Sequence, residues 1–260
     1  MCGLYTVGTG KDYPTITAAI ADLNVKEVVC PVIFELWDET FSTSETFPLV
    51  IYPYLGASAE RPVTFRPKPS GTSTITGSSN FGILLLQGCQ FITIDGSNSG
   101  GSDRSLTWEN TSTTAESFTI GLRNDYPQGA SNCVIRNNNI KASAQLTSNT
   151  YGIFLDPAWG GFDNIIIDNN KVLSARNGIQ FAGKWNNKAY NGRITNNIIG
   201  SLTPSEEIKF QGIVVIDAVN TLVRGNEIIG PASGNTNNNQ AGILLSTGAD
   251  STKVDRNMIY

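Results

Sequence analysis

Apolar residues along this chain come in short alternating runs, and the second half repeats one such run at a near-constant interval. Gly152-Ile-Phe-Leu155, Gly178-Ile-Gln-Phe181, Gly212-Ile-Val-Val215 and Gly242-Ile-Leu-Leu245 all open with Gly-Ile and continue apolar. Each is followed by an apolar-x-x-Asn-x-apolar run, at Ile167–Val172, Ile194–Ile199, Val223–Ile228 and Val254–Ile259, with a further copy upstream at Ile135–Ile140. The recurring residues Asn138, Asn170, Asn197, Asn226 and Asn257 stand 32, 27, 29 and 31 residues apart. A period near thirty that varies only between short strands predicts a solenoid whose turns accept insertions.

Period 2 inside the runs sets the facing. Ile153 and Leu155 point one way and Phe154 the other, because side chains alternate across a strand. Ile179/Phe181, Ile213/Val215 and Ile243/Leu245 extend the inward column, so stacked coils build a core that no single coil could bury. The recurring Asn is expected to hold a left-handed corner and to bond its amide to the Asn of the next coil. The residue two positions before it reads Arg136, Asp168, Thr195, Arg224 and Asp255. That column predicts Arg136 beside Asp168 and Arg224 beside Asp255, a solvated charge ladder of little energetic weight.

Upstream, Pro31–Trp37, Arg61–Arg66, Ser73–Thr76, Ile83–Leu86 and Phe91–Asp95 read as strands between Gly, Ser and Pro turns. Pro14–Leu23 differs, since Ile16, Ala19, Ile20 and Leu23 fall at i, i+3, i+4 and i+7, which predicts one amphipathic helix. A single helix ahead of a strand solenoid is expected to cover the first coil's open edge. The expected organisation is one all-β domain over 1–260. It is a right-handed parallel β-helix with a strand and capping helix at 1–27 and coils over 28–260. The last strand runs to Met258-Ile259-Tyr260 without a cap. This predicts either a longer natural chain or end-to-end self-association through the C-terminal coil.

Composition narrows the chemistry. The 260 residues include no histidine, which excludes a Ser–His–Asp triad, an HExxH zinc site and any imidazole base. The formal charge of −4 lacks the basic footprint of a nucleic-acid binder. The longest apolar runs, such as Gly82–Leu86 and Ile165–Ile167, are of strand length, so no membrane insertion is expected. Met1-Cys2-Gly3 leads straight into Tyr5-Thr6-Val7 with no secretory leader, which predicts a mature or excised piece. Cys2, Cys30, Cys89 and Cys133 show neither CxxC nor metal spacing; buried free thiols are expected, with one or two disulfides as the alternative for an exported chain.

Thr6-Val-Gly-Thr-Gly-Lys-Asp-Tyr-Pro-Thr-Ile-Thr-Ala-Ala-Ile20 resembles the opening of right-handed parallel β-helix proteins, pectin methylesterases among them. Val29–Glu35, Arg61–Phe65, Ile92–Ser97 and the later Asn-x-Ile coils extend the resemblance to long secreted or cell-surface β-helix proteins of Bacteroidota type. The resemblance implies the fold and an extracellular or surface location. It does not imply an activity, because this architecture carries lyases, hydrolases, esterases, epimerases and adhesins alike. The methylesterase segments Gln-Asp-x-Leu and Asp-Phe-x-Phe-Gly are absent. So are the Gly-His-Gly of polygalacturonases and the Arg-x-Pro-x-x-Arg of pectate lyases.

Candidate chemistry is spread along the coils. Asp156, Asp163, Asp168, Asp217, Glu227 and Asp255 are available carboxylates, and a glycosidase needs two of them facing each other. Asp156 and Asp217 both follow Gly-Ile runs, with one coil between them. Lys184, Lys188, Tyr190 and Arg193 form the one cluster in which a base lies near a cation able to neutralise a uronate, with Lys188 and Arg193 as the catalytic candidates. Asp95, Asn98 and Asp103 share a Gly/Ser-rich loop whose oxygens suit Ca²⁺, although no cofactor is required. Counting seven residues on from the strand start gives Trp159 and Trp185, and Tyr126 has the same offset in the preceding coil. These rings either form a strip that stacks on sugar faces or fold back over Phe154. The expected function is a non-catalytic adhesive or scaffold module that binds polysaccharide. The alternative is a lyase or hydrolase acting on acidic polysaccharide without histidine.

Overall fold

The computed structural model describes residues 1–124, 129–143, 145, 148–158, 161–230 and 240–260. Every ladder between named strands is parallel, and three sheets run the length of the molecule as the faces of a right-handed β-helix of about seven turns. The first face stacks nine strands, from Gly3–Val7 and Val32–Leu36 through Val134–Arg136 and Ile166–Asp168 to Lys253–Asp255. The second stacks eight, from Thr40–Phe41 to Met258–Ile259. The third, the Gly-Ile face, stacks seven, from Leu49–Ile51 to Ala241–Leu245.

The register follows the sequence columns. Ile153 sits opposite Ile179, Ile179 opposite Ile213, and Ile213 opposite Ile243. The first three are fully buried in one continuous core, whereas Phe154 lies on the outer side with Leu85, Phe118 and Tyr151. Gly152, Gly178 and Gly212 leave room for the neighbouring coil, since a Cβ on Gly178 would lie 2.5 Å from the Gly212 carbonyl oxygen.

The helix spans Ile16–Leu23, starting with the first residue of the apolar spacing and two residues after Pro14, where the expected span began. Thr15 is extended and its hydroxyl accepts from the Ala18 amide at 3.0 Å, so the chain becomes helical only after this N-cap. The Glu45 carboxylate accepts from the Ile16 and Thr17 amides at 2.8 and 2.7 Å, satisfying donors that a helix start leaves free. Asn24, just past the helix, accepts from the Tyr52 amide and donates to the Val50 carbonyl, both at 2.9 Å. The helix and its cap thus close the first edge of the Gly-Ile face.

Two expectations need correction. The left-handed corner and the amide ladder belong to adjacent residues. The positive φ falls on Asn137, Asn169, Asn196, Gly225 and Arg256, and the buried ladder is built by Asn138, Asn170, Asn197, Asn226 and Asn257. A residue whose amide must reach into the coil cannot also turn the backbone outward. Arg136, although opposite Asp168, pairs with Asp95 of the preceding coil at 2.8 Å. Asp168 instead accepts from Thr195 and Asn196, while Arg224 and Asp255 pair as expected at 2.6 Å. The cysteines divide: Cys2 and Cys30 form a disulfide with Cα atoms 4.8 Å apart, tying the first two coils, and Cys89 and Cys133 are buried free thiols.

Candidate functional site: a groove along one corner

At the corner joining the Gly-Ile face to the first face, turns from five coils line a groove of about 680 Å³. It crosses successive coils in the direction of the solenoid axis. Tyr54 comes from one turn, Gln90 from the next, Asn124 and Ser131 from the third, Asp163 from the fourth, and Asn187, Lys188 and Tyr190 from the fifth. At about 4.8 Å per coil, four steps between these turns give a track of roughly 19 Å. One pyranose ring is about as long as one coil is thick.

Local geometry fixes the lining. The Tyr54 hydroxyl donates to the Gln90 carbonyl at 2.9 Å, and burial pushes this phenol above its ordinary range. Gly161 has φ +72° and donates its amide to the Asn187 carbonyl at 2.7 Å. A Cβ there would lie 2.6 Å from Asn187 Nδ2 and 3.0 Å from Asn124 Nδ2, so the missing side chain lets both amides close over the backbone. Lys184 and Asn187 exchange backbone hydrogen bonds at 3.0 and 2.8 Å, a tight turn that carries Trp185 outward. Trp185 is 75% exposed. The other two rings of the expected column, Tyr126 and Trp159, lie outside the described residues.

The catalytic candidates occupy different places. Lys188 lines the groove, but its ammonium is paired with Asp250 and lies 3.4 Å from the Gly248 carbonyl. That pairing raises its pKa. Arg193 lines an adjoining hollow of about 500 Å³, so the two cations do not converge. Asp156 is on the outer side of the Gly-Ile face, bound to Arg123 at 2.8 Å, and does not meet Asp217, whose carboxylate lies beside Gly248. In the Ser/Gly loop, Asp103 accepts from Ser97, Asn98, Ser99 and Ser105, and Asp95 from Ser97, Arg136 and Asn137. Burial opposes ionisation of Asp103, yet these donors outweigh it and hold the carboxyl below its ordinary range. Both carboxylates of the expected calcium set are therefore engaged by the protein itself. No cluster of three or more His, Cys, Asp or Glu side chains suited to a metal is found among the described residues.

Asp163 is the groove's distinctive group. Its Oδ1 is shut off from solvent without a hydrogen-bond partner, and burial raises its pKa. The repeat sets it in one column with Ser131 and Tyr190, each seven residues ahead of the Asn ladder, but only the fold shows that its carboxylate is partly buried there. A second exposed Asn column also escapes the repeat as first read. Asn132, Asn164, Asn191 and Asn220, and Ser251 after them, all have positive φ and stand six residues ahead of the buried ladder, as in 138 − 132 and 170 − 164. That constant offset is the signal that would have found them.

Residues 5–255 match the family described as "Protein of unknown function (DUF1565)", and the chain belongs to that family. Its fold is a right-handed parallel β-helix. No curated protein sequence is similar to it at a significant level. Among solved structures it is similar to the pectin methylesterase of Aspergillus niger, at 11% identity and TM-score 0.49, covering 99% of this chain and 85% of that one. A pectate lyase from Xanthomonas campestris gives 11% identity and TM-score 0.45, covering 96% and 79%. A GH136 lacto-N-biosidase from Eubacterium ramulus gives 12% and 0.44, covering 99% and 56%. No helix among the described residues is long and apolar enough to cross a membrane.

Proposed function

We propose that the protein is a non-catalytic, carbohydrate-binding β-helix module with an adhesive or scaffold role outside the cytoplasm. It holds a linear glycan lengthwise in the corner groove. The observation that carries this reading is the groove itself: amides and hydroxyls from consecutive coils along one axis, with the exposed Trp185 in a turn that lines it. Amides and hydroxyls suit sugar hydroxyls, and an exposed indole suits the apolar face of a pyranose. Tyr126 and Trp159 are proposed to extend the same platform. The Cys2–Cys30 disulfide supports a secreted or cell-surface location, since such bonds persist in oxidising compartments.

Asp163 supports a second reading, a polysaccharide lyase or hydrolase, because a carboxyl of raised pKa is suited to hold a proton for transfer. Among the described residues that line the groove it is the sole carboxylate, which favours binding over two-carboxylate hydrolysis. The test is retention of the protein on immobilised polysaccharides, with newly formed reducing or unsaturated ends assayed in the same samples. Trp185→Ala is expected to lose retention and keep its melting temperature. New chain ends formed by the unmutated protein would favour the enzyme, and no retention on any polysaccharide would end the carbohydrate reading.

A further inference from the structure

Beside the groove, on the outer side of the first face, lies the hollow of about 500 Å³ that contains Arg193. Its wall is the exposed amide column: Asn164, Asn191 and Asn220 sit one per coil, and the Asn220 amide donates to Asn191 Oδ1 at 2.7 Å. Next to the amides runs the strand column Ile166, Arg193, Leu222, Lys253, each residue opposite the next. Arg193 and Lys253 are thus two coils apart on one line, roughly 10 Å at the spacing of parallel strands.

The neighbouring column shows what is unusual about them. There Glu35 and Arg66, Asp95 and Arg136, and Arg224 and Asp255 pair between adjacent coils. Arg193 and Lys253 are exposed and make no ion pair with the described residues, in a chain whose net charge is −4. Thr221 lines the same hollow. It is only 1% exposed and its hydroxyl has no hydrogen-bond partner. Unpaired cations, outward amides and an unmet hydroxyl at one place are the complement of a ligand with anionic groups and hydroxyls.

We infer that this hollow is a charge-reading subsite for an acidic glycan, whose carboxylate or sulfate groups bridge to Arg193 and Lys253 while its hydroxyls meet the Asn164–Asn191–Asn220 amides. The inference rests on the carbohydrate reading and names the substrate class. Guanidinium binds a carboxylate or sulfate through two parallel N–H donors, and the ammonium two coils away engages a second anionic group. A chain with an acidic group on the same side of every second ring fits that interval.

The test is a titration of the full 260-residue protein with polygalacturonate, dextran sulfate and uncharged dextran at low and high salt. Acidic polymers are expected to bind about tenfold or more tighter than dextran, the gain of one charge-assisted contact, with the advantage lost at high salt. The carboxylate and sulfate arms show which anion is preferred. Arg193→Gln/Lys253→Gln, both on the surface, should erase the advantage and leave melting temperature unchanged. An acidic preference that survives in the double variant overturns the subsite, as does equal binding of charged and uncharged polymers. In either case the groove reading stands, provided that dextran binding is lost in Trp185→Ala. Failure of every polymer to bind overturns both.

Discussion

Asn170 donates from its side-chain Nδ2 to Asn197 Oδ1 at 3.1 Å, and the same oxygen accepts the Asn170 backbone amide at 2.9 Å. Asn197 passes the pattern on: its own Nδ2 reaches Asn226 Oδ1 and the Ile167 carbonyl, both at 2.9 Å. Both asparagines are fully buried, so each amide answers polar groups that water cannot reach. Asn197→Ala would orphan the Asn170 backbone amide, take one of two acceptors from the Asn170 side-chain amide, which keeps the Ile135 carbonyl at 2.8 Å, and remove the side-chain donor to the Ile167 carbonyl. A loss of about 3 kcal/mol is expected, with the coils on either side weakened. Urea unfolding measures it; a loss below about 1 kcal/mol would mean that water replaces the ladder.

The fold was legible because the solenoid writes each coil onto the next. Ile153, Ile179 and Ile213 share a column in the sequence and in the core because period 2 and period thirty meet at the same residues. What stayed hidden depends on contacts between coils. Arg136 has Asp95 on one side and Asp168 on the other, and no pattern says which it chooses. Asp163 and Tyr190 do share a column, each standing seven residues ahead of the Asn ladder, as in 170 − 163 and 197 − 190, but no spacing says that one oxygen of that carboxylate is shut away without a partner. The pairing of Cys2 with Cys30 likewise follows from how far the first coil travels around the axis.

Thiol chemistry should divide the four cysteines as the structure does. In the native protein, Cys89 and Cys133 are expected to resist a thiol reagent, since both are fully buried and burial pushes the Cys89 thiol upward. Unfolding in urea should release two thiols, and urea with a reductant four. Four thiols without reductant would exclude the bond between Cys2 and Cys30. Those two cysteines are 28 residues apart. Replacing both with serine is expected to lower stability by about 3–4 kcal/mol through the freed chain entropy.

We propose that the last coil is adhesive. Among the described residues, Ala241–Leu245, Lys253–Asp255 and Met258–Ile259 each have a strand partner on one side only, and Leu245, Val254, Met258 and Ile259 are exposed. Open parallel edges with apolar side chains recruit further strands. The 260-residue chain alone should show a molar mass that rises with concentration in light scattering. Val254→Lys, which adds a charge to that edge, should restore the monomer. A strict monomer at millimolar concentration would contradict end-to-end pairing.

Asp163 gives a pH test with a definite sign. Burial raises its pKa in the folded protein, with a smaller opposing contribution from the Tyr190 backbone. Above the range in which the folded protein titrates, the carboxyl is ionised in both folded and unfolded chains, and the folded state bears the cost of a charge held in a poorly solvated place. Below the ordinary carboxylate range it is protonated in both states and the cost disappears. Between those limits the folded chain binds more protons than the unfolded one, so this group's contribution to stability falls as pH rises. Asp163→Asn removes the charge and keeps the shape. Its melting temperature should exceed that of the unmutated protein at pH 7, and the difference should shrink towards zero as the pH is lowered through the carboxylate range. A gain of the same size at every pH would assign the effect to packing. A loss at pH 7 would mean that the ionised carboxylate makes a favourable contact in solution, and that this position is built to hold charge.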